Sequence, residues 1–139
     1  MWDHVGVLRT EQDLKSGLEQ LENLKRELLE TGLADANRVF NLSWHDWLNL
    51  QNLIEISEVI TRAALARENS RGAHYREDFT DAGNLHESYY TVVRQQANEI
   101  SVNREPVIFS IVKPGESLLE EDPGHEASGG EASSGEGKQ

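Results

Sequence analysis

Between Ala66 and Phe79 the chain sets seven ionisable side chains, Arg67, Glu68, Arg71, His74, Arg76, Glu77 and Asp78, around a single glycine, Gly72. Guanidinium forks pair bidentately with carboxylates, so this density of charge fits an electrostatic clamp that fastens one structural unit to another. Gly72 suits a helix end, where the backbone turns left-handed or must be closely approached. His74 titrates nearest neutrality. General acid–base work also needs a reacting partner within reach, and no nucleophile–base arrangement accompanies His74 in sequence. The candidate residues are therefore Arg67, Arg71, Gly72, His74, Arg76 and Asp78, read as a clamp, with no catalytic residue among them.

Other chemistries find less support. His4, His45, His74, His86 and His125 include no pair at the i, i+4 spacing of a helical zinc site, so no metal site is expected. With no cysteine, the 139-residue chain has no disulfide, thiolate zinc site or iron–sulfur ligand. A formal net charge of −12 argues against a nucleic-acid surface or an anionic-membrane patch, both of which need clustered Lys and Arg. Residues 113–139 hold seven acidic and two basic side chains, hence five of those twelve net charges. Neither a signal-type apolar stretch nor a membrane-length apolar run occurs, which excludes direct membrane insertion and fits a cytoplasmic setting.

The elements that would position the cluster are mostly helical. Met1, Trp2 and Val5 stand at helical spacing before Gly6. Thr10 is a good N-cap, able to accept from the amide of residue 12 or 13. Leu14, Leu18, Leu21, Leu24 and Leu28 recur at steps of three and four, predicting a helix over about 11–30 that stops at Gly32. Ser43 with Asp46 resembles a capping box for a second helix over 44–68. Its broad buried face is expected to comprise Trp47, Leu50, Leu53, Ile54, Ile60, Ala64 and Leu65, with Ile56 on the flank. The fold class is mainly α: an antiparallel three-helix, spectrin-repeat-like bundle reaching about residue 80, then a short β-hairpin within 88–112. Tyr89–Val93 and Val107–Val112 are β-branched and aromatic runs of strand type, and the polar stretch 95–103 accommodates a hairpin or an intermediate strand. Residues 113–139 read as a disordered acidic Gly/Ser/Glu tail.

Two segments resemble one family. Ser70-Arg71-Gly72-Ala73-His74-Tyr75-Arg76-Glu77-Asp78-Phe79, preceded by Ala-Leu-Ala-Arg-Glu, is similar to the C-terminal helical domain of the succinate dehydrogenase and fumarate reductase flavoproteins. Met1-Trp2-Asp3-His4-Val5-Gly6-Val7-Leu8-Arg9-Thr10 resembles that domain's opening, at the family's spacing. The resemblance covers residues 1–112, and Met1 falls where the family is mid-helix. Thr80 departs from it, standing where a proline commonly follows Asp-Phe. Aspartate oxidases are close relatives, and His74 to Phe79 lean toward the dehydrogenase side.

The resemblance implies an FAD-dependent parent reaction, a two-electron exchange between the flavin and a C4 dicarboxylate. FAD and substrate would be bound upstream, since this chain contains no Gly-x-Gly-x-x-Gly turn. No cofactor is expected on this chain alone, and no activity. The partners implied are the FAD-binding domain, with the charged turn at its interface, and an iron–sulfur subunit, which would bring the chain to the periphery of the inner membrane. The alternative is a stand-alone, non-enzymatic helical interaction module.

Overall fold

The computed structural model describes residues 1–33, 35, 37–97 and 99–117, and the chain divides into two units, Met1–Ile108 and Phe109–Gln139. In the first unit the elements run α1 (Trp2–Val5), β1 (Leu8–Arg9), α2 (Glu11–Thr31), α3 (Leu42–Leu65), β2 (Tyr75–Arg76), a 3-10 turn (Leu85–Glu87), β3 (Tyr89–Gln96) and β4 (Glu99–Pro106). The architecture is mainly helical with a short antiparallel sheet of two strands.

Helix α2 matches its local signals. Thr10 Oγ1 accepts from Asp13 N at 3.1 Å. Gly32, at φ 61°, ends the helix and donates its N–H to Leu28 O. Helix α3 begins earlier than expected. Asn41, not Ser43, is its N-cap, accepting from Trp44 N at 2.8 Å, and the helix stops at Leu65 rather than Glu68.

Three contacts fix the relation of the two helices: Gly17 lies against Thr61, Lys25 pairs with Glu58 at 3.7 Å, and Trp47 Nε1 donates to Leu28 O at 3.2 Å. Rising positions in α2 meet falling positions in α3, so the pair is antiparallel. Helix α1 lies across its open end, where a Cβ on Gly17 would stand 3.1 Å from Val5 Cγ2 and 3.3 Å from His4 Cβ. The absent side chain is what lets α1 approach. Val5, Leu14 and Ala64 form the buried cluster, with Leu65 packed against it. Leu21, Ile54 and Thr61 are buried as well.

The apolar stripe is less covered than the periodicity implies. Leu24, Leu50, Leu53 and Ile60 are 49%, 47%, 60% and 45% exposed. The cause is geometric, because α2 shields one arc of α3 and α1 is a single turn too short to shield the next.

The hairpin also differs from the expected strands. β3 pairs with β4 in antiparallel register, Tyr89 opposite Pro106 through Gln96 opposite Glu99. Val107–Val112, expected as a strand, lies outside any strand, and the polar stretch supplies β4 instead. Ile100 and Val102 alternate with exposed neighbours along β4. Arg104 fastens this hairpin to the end of α3, donating to Ala66 O at 3.1 Å while covering the Tyr89 ring at 4.7 Å.

In the second unit, Glu116 N donates to Lys113 O at 3.0 Å and Lys113 N to Glu116 Oε2 at 3.1 Å, closing a turn around Gly115. The remainder of the expected acidic tail, 118–139, lies outside the described residues.

Candidate functional site

The two sequence segments quoted above meet through a parallel pairing that sequence reasoning did not anticipate: Leu8 opposite Tyr75 and Arg9 opposite Arg76, with Glu77 N donating to Arg9 O at 2.9 Å. This pairing brings the charged turn to the place where α3 ends and α2 begins. Those two helix ends leave carbonyls and amides unmet respectively.

Arg76 resolves both. Its side chain is only 1% exposed, and it donates Nε to Asp78 Oδ1 at 2.7 Å and Nη2 to Asp78 Oδ2 at 2.6 Å. Nη1 reaches the last two carbonyls of α3, those of Ala64 (3.3 Å) and Leu65 (3.3 Å), and that of Arg67 just beyond it (3.1 Å). Asp78 Oδ2 in turn accepts from Glu11 N at 2.8 Å, the first amide of α2. A cation thus closes the negative end of one helix dipole and a carboxylate the positive end of the other. The Phe79 ring lies 4.9 Å from the guanidinium carbon. The paired Arg76 guanidinium, aided by the Glu11 amide, holds the Asp78 carboxyl at about 2, below its ordinary 3.8. Asp78 reciprocally raises Arg76.

Ser70 organises the turn around this pair. Its hydroxyl accepts from Arg76 N at 2.8 Å and donates to Phe79 O at 2.8 Å. Arg71 and His74 exchange backbone bonds of 2.9 and 3.1 Å, with Gly72 between them at φ 57°. A Cβ there would meet no atom within 4 Å, so backbone conformation and not space calls for glycine. This turn lies beyond the end of α3, where the cap itself is Ala66. The Arg71 side chain grips the following loop, donating to Ala82 O, to Asn84 O at 2.8 Å and to Ser88 Oγ at 2.9 Å.

His74 is buried at 8% exposure. Its Nδ1 stands 2.8 Å from Arg9 Nη1, which can only donate, so Nδ1 accepts and Nε2 carries the proton. That Nε2 is buried with no hydrogen-bond partner among the described residues. Burial lowers the His74 pKa first and the Arg67 charge next; the Arg67 backbone opposes them, and Arg9 and Arg76 lower it by smaller amounts. The ring is therefore a neutral, enclosed strut for Arg9. Arg76 and His74 are both buried within this chain, because self-packing at two converging helix ends uses the charges internally.

Arg67 is half-buried and donates Nη2 to Asn69 Oδ1 at 3.2 Å. Arg9 belongs to the same cluster, although its 65-residue separation from His74 kept it out of the sequence-level set. Its place in the opening segment was the one signal that could have found it. Among the described residues no group of three or more His, Asp or Glu is placed to hold a metal ion.

The charged turn ties the domain's own helix ends together, and comparison with known proteins identifies the family to which such a domain belongs. Residues 1–118 match the family described as Fumarate reductase flavoprotein C-term, and the chain belongs to that family. The chain is 38% identical over 92 residues to the Coxiella burnetii succinate dehydrogenase flavoprotein subunit, covering 66% of this chain and 16% of that protein. To the L-aspartate oxidase of Yersinia pestis it is 40% identical over 81 residues, 58% of this chain and 14% of that one. The structure of the Mycobacterium smegmatis Sdh1 complex in the apo form superposes with a TM-score of 0.71 at 28% identity, over 81% of this chain and 19% of that chain. The chain thus spans about a sixth of the length of these curated relatives and corresponds to their C-terminal domain.

Proposed function

We propose that this chain is the domain that completes an FAD-dependent succinate dehydrogenase or fumarate reductase type flavoprotein by packing on its FAD-binding part. One observation carries the reading: the family match over residues 1–118, in a chain covering only 14–16% of its flavoprotein relatives. FAD and the dicarboxylate are then held outside this chain, and the chain alone has no turnover. The helix N-termini support this, since a dinucleotide's pyrophosphate needs free amides there. At α2 Thr10 and Asp78 take those amides, and at α3 Asn41 does.

Within this reading Arg67, Arg71, Gly72, His74, Arg76 and Asp78 form the docking end of the domain. Arg76 and Asp78 shape it from inside, Arg71 fixes its flanking loop, and Gly72 lies exposed at its tip. The domain is residues 1–112. The partly exposed stripe of Leu24, Leu50, Leu53 and Ile60 supports the three-helix, spectrin-repeat-like bundle, in which a longer helix continues the line of α1. An iron–sulfur subunit is the second partner, giving a peripheral position at the membrane. No described helix is long and apolar enough to cross one. No observation favours the stand-alone module.

The test is complementation. A Coxiella burnetii succinate dehydrogenase flavoprotein shortened by the matching region is mixed with this chain, and association and succinate oxidation are measured. The purified chain alone is expected to lack a flavin absorbance band, and the mixture to recover oxidation. A stoichiometric flavin band on the chain alone, or turnover without the second component, would reject the reading.

A further inference from the structure

We propose that Arg9 and Arg67 form the receptor for one carboxylate side chain presented by the FAD-binding part of the flavoprotein, an ionic latch distinct from the internal Arg76–Asp78 pair. The partner's identity rests on the function proposed above. The receptor itself rests on the disposition of charges.

The other arginines of this end are occupied. All three guanidinium nitrogens of Arg76 are bonded to Asp78 or to α3 carbonyls, and those of Arg71 to the loop at residues 82–88. Arg9 has Nε on Gly6 O at 2.7 Å and Nη1 on His74 Nδ1, which leaves Nη2. Arg67 has Nη2 on Asn69 Oδ1, which leaves Nε and Nη1. Neither has a carboxylate partner among the described residues. The neighbouring carboxylates are engaged elsewhere: Asp78 with Arg76 and the Glu11 amide, Glu11 with Lys15, and Asp13 with Thr10. The charge of Glu68 acts on Arg76.

The resulting field is one-sided. Arg67 is the charge that acts on Arg9, and the charges acting on His74 are Arg67, Arg9 and Arg76, all cationic. Half-buried cations that repel one another are costly unless paired. His74 gives the second, independent indication. Buried and neutral, it spends its one accepting nitrogen on Arg9 and so aims that guanidinium instead of neutralising it. Arg9 and Arg67 are neighbours through Arg76, which pairs with Arg9 across β1 and β2 and donates Nη1 to Arg67 O at 3.1 Å, and a free guanidinium nitrogen on each matches one oxygen of a single carboxylate. A polyanion is disfavoured by a chain of net charge −12. Charge pairs that lose water at an interface set register and specificity, which a domain seam requires.

The experiment has two arms. In the first, the labelled 139-residue chain is titrated with sodium acetate against sodium chloride at matched ionic strength, and the arginine Nε–H resonances are followed by NMR. Arg9 and Arg67 are expected to shift together on one saturating curve, with Arg62 and Arg71 still, and Arg67→Gln is expected to abolish the Arg9 response. Shifts no larger than in chloride, or independent curves, overturn the receptor. The second arm measures association of the chain with the shortened Coxiella burnetii flavoprotein, whose flavin absorbance reports its folding. Arg9→Gln and Arg67→Gln are each expected to weaken association about tenfold and to flatten its salt dependence, whereas Arg38→Gln leaves both unchanged. Undiminished association of both variants overturns the latch while the domain assignment stands. Failure of the wild-type chain to associate overturns the assigned partner, and the acetate arm then decides the receptor alone.

Discussion

Replacing Arg76 by lysine keeps the charge and removes the fork, so it isolates what the geometry at the helix junction contributes. The guanidinium makes two short charge-assisted bonds to Asp78 and three longer ones to carbonyls at the end of α3, two within the helix and that of Arg67 just after it. A lysine ammonium is a single point with three donors and can serve one of these groups, not both. If it stays with Asp78, the α3 carbonyls lose their cap. If it turns to the carbonyls, Asp78 and the α2 amide lose their partner. Hydrogen bonds to charged groups contribute about 1.5–3 kcal/mol each, and losing one side of the arrangement sets the expected cost of Arg76→Lys at about 3 kcal/mol. Against a total of about 5–15 kcal/mol for a domain this is large. With a urea dependence of about 1–3 kcal/mol per molar, the unfolding midpoint should fall by roughly 1–3 M at unchanged slope. Arg76→Met, which leaves Asp78 without its cation and the carbonyls without a donor, should cost as much or more. Far-ultraviolet circular dichroism under urea measures both. A loss below about 0.5 kcal/mol for Arg76→Lys would refute the reasoning, because the fork would then contribute no more than a surface charge.

The same pair gives an acid limb. Asp78 has its carboxyl depressed, so its contribution is complete above pH 3.8 and is lost as pH falls through about 2. Linkage sets that contribution at about 2.4 kcal/mol at most, and access of water to 29% of the side chain reduces it to roughly 1 kcal/mol. Asp78→Asn should flatten the stability profile there. His74, also depressed, contributes above its ordinary 6.5 and loses that contribution progressively below it, so His74→Gln should remove the slope measured from pH 6.5 downward. Leu14→Ala should cost about 2–5 kcal/mol, whereas Leu53→Ala, at 60% exposure, should change the isolated chain by less than about 0.5 kcal/mol; equal effects would contradict the packing. Gly17→Ala should not deliver the stabilisation of roughly 1 kcal/mol that helix propensity alone predicts, since Val5 and His4 must yield to its Cβ. A thermal midpoint raised by several degrees would show that α1 does not dock there.

What could be read directly from the residues was local. Thr10, the leucine steps and Gly32 delimit α2 because caps and periodicity act within one helical turn. The start of α3 was missed because Asn41 caps just ahead of a Ser-x-x-Asp pattern that resembled the better signal. Strand propensity misled at Val107–Val112. β4 forms from polar Glu99–Pro106 because it starts two residues after Ala97, whose φ of 53° suits a tight hairpin connection, and its ladder with β3 outweighs side-chain preference. The β1–β2 pairing is two residues long and joins positions 67 apart, which leaves no periodic trace. The charged turn was legible as a cluster but not as a circuit. Nothing in its spacing says which arginine faces inward, since that depends on the end of α3 and the first amide of α2 arriving at one place.

That convergence also explains why so many charges gather in so short a segment. Two antiparallel helices whose ends come together present unmet carbonyls and amides to a small volume beside the buried cluster of Val5, Leu14 and Ala64. An apolar filling would leave those backbone groups unsatisfied, at about 1–3 kcal/mol each. A single cation would meet the carbonyls and strand the amide. An arginine forked onto an aspartate meets both, and the serine hydroxyl of Ser70 sets the turn that holds them two residues apart. Once Arg76 and Asp78 are committed to that duty, a charge elsewhere in the cluster cannot draw on Asp78 for compensation. Arg9, held by a neutral His74, and Arg67, at the mouth of the same junction, are left positive by the arrangement that stabilises the domain. The charges that close the two helix ends are therefore also what leaves Arg9 and Arg67 available to the carboxylate receptor proposed above.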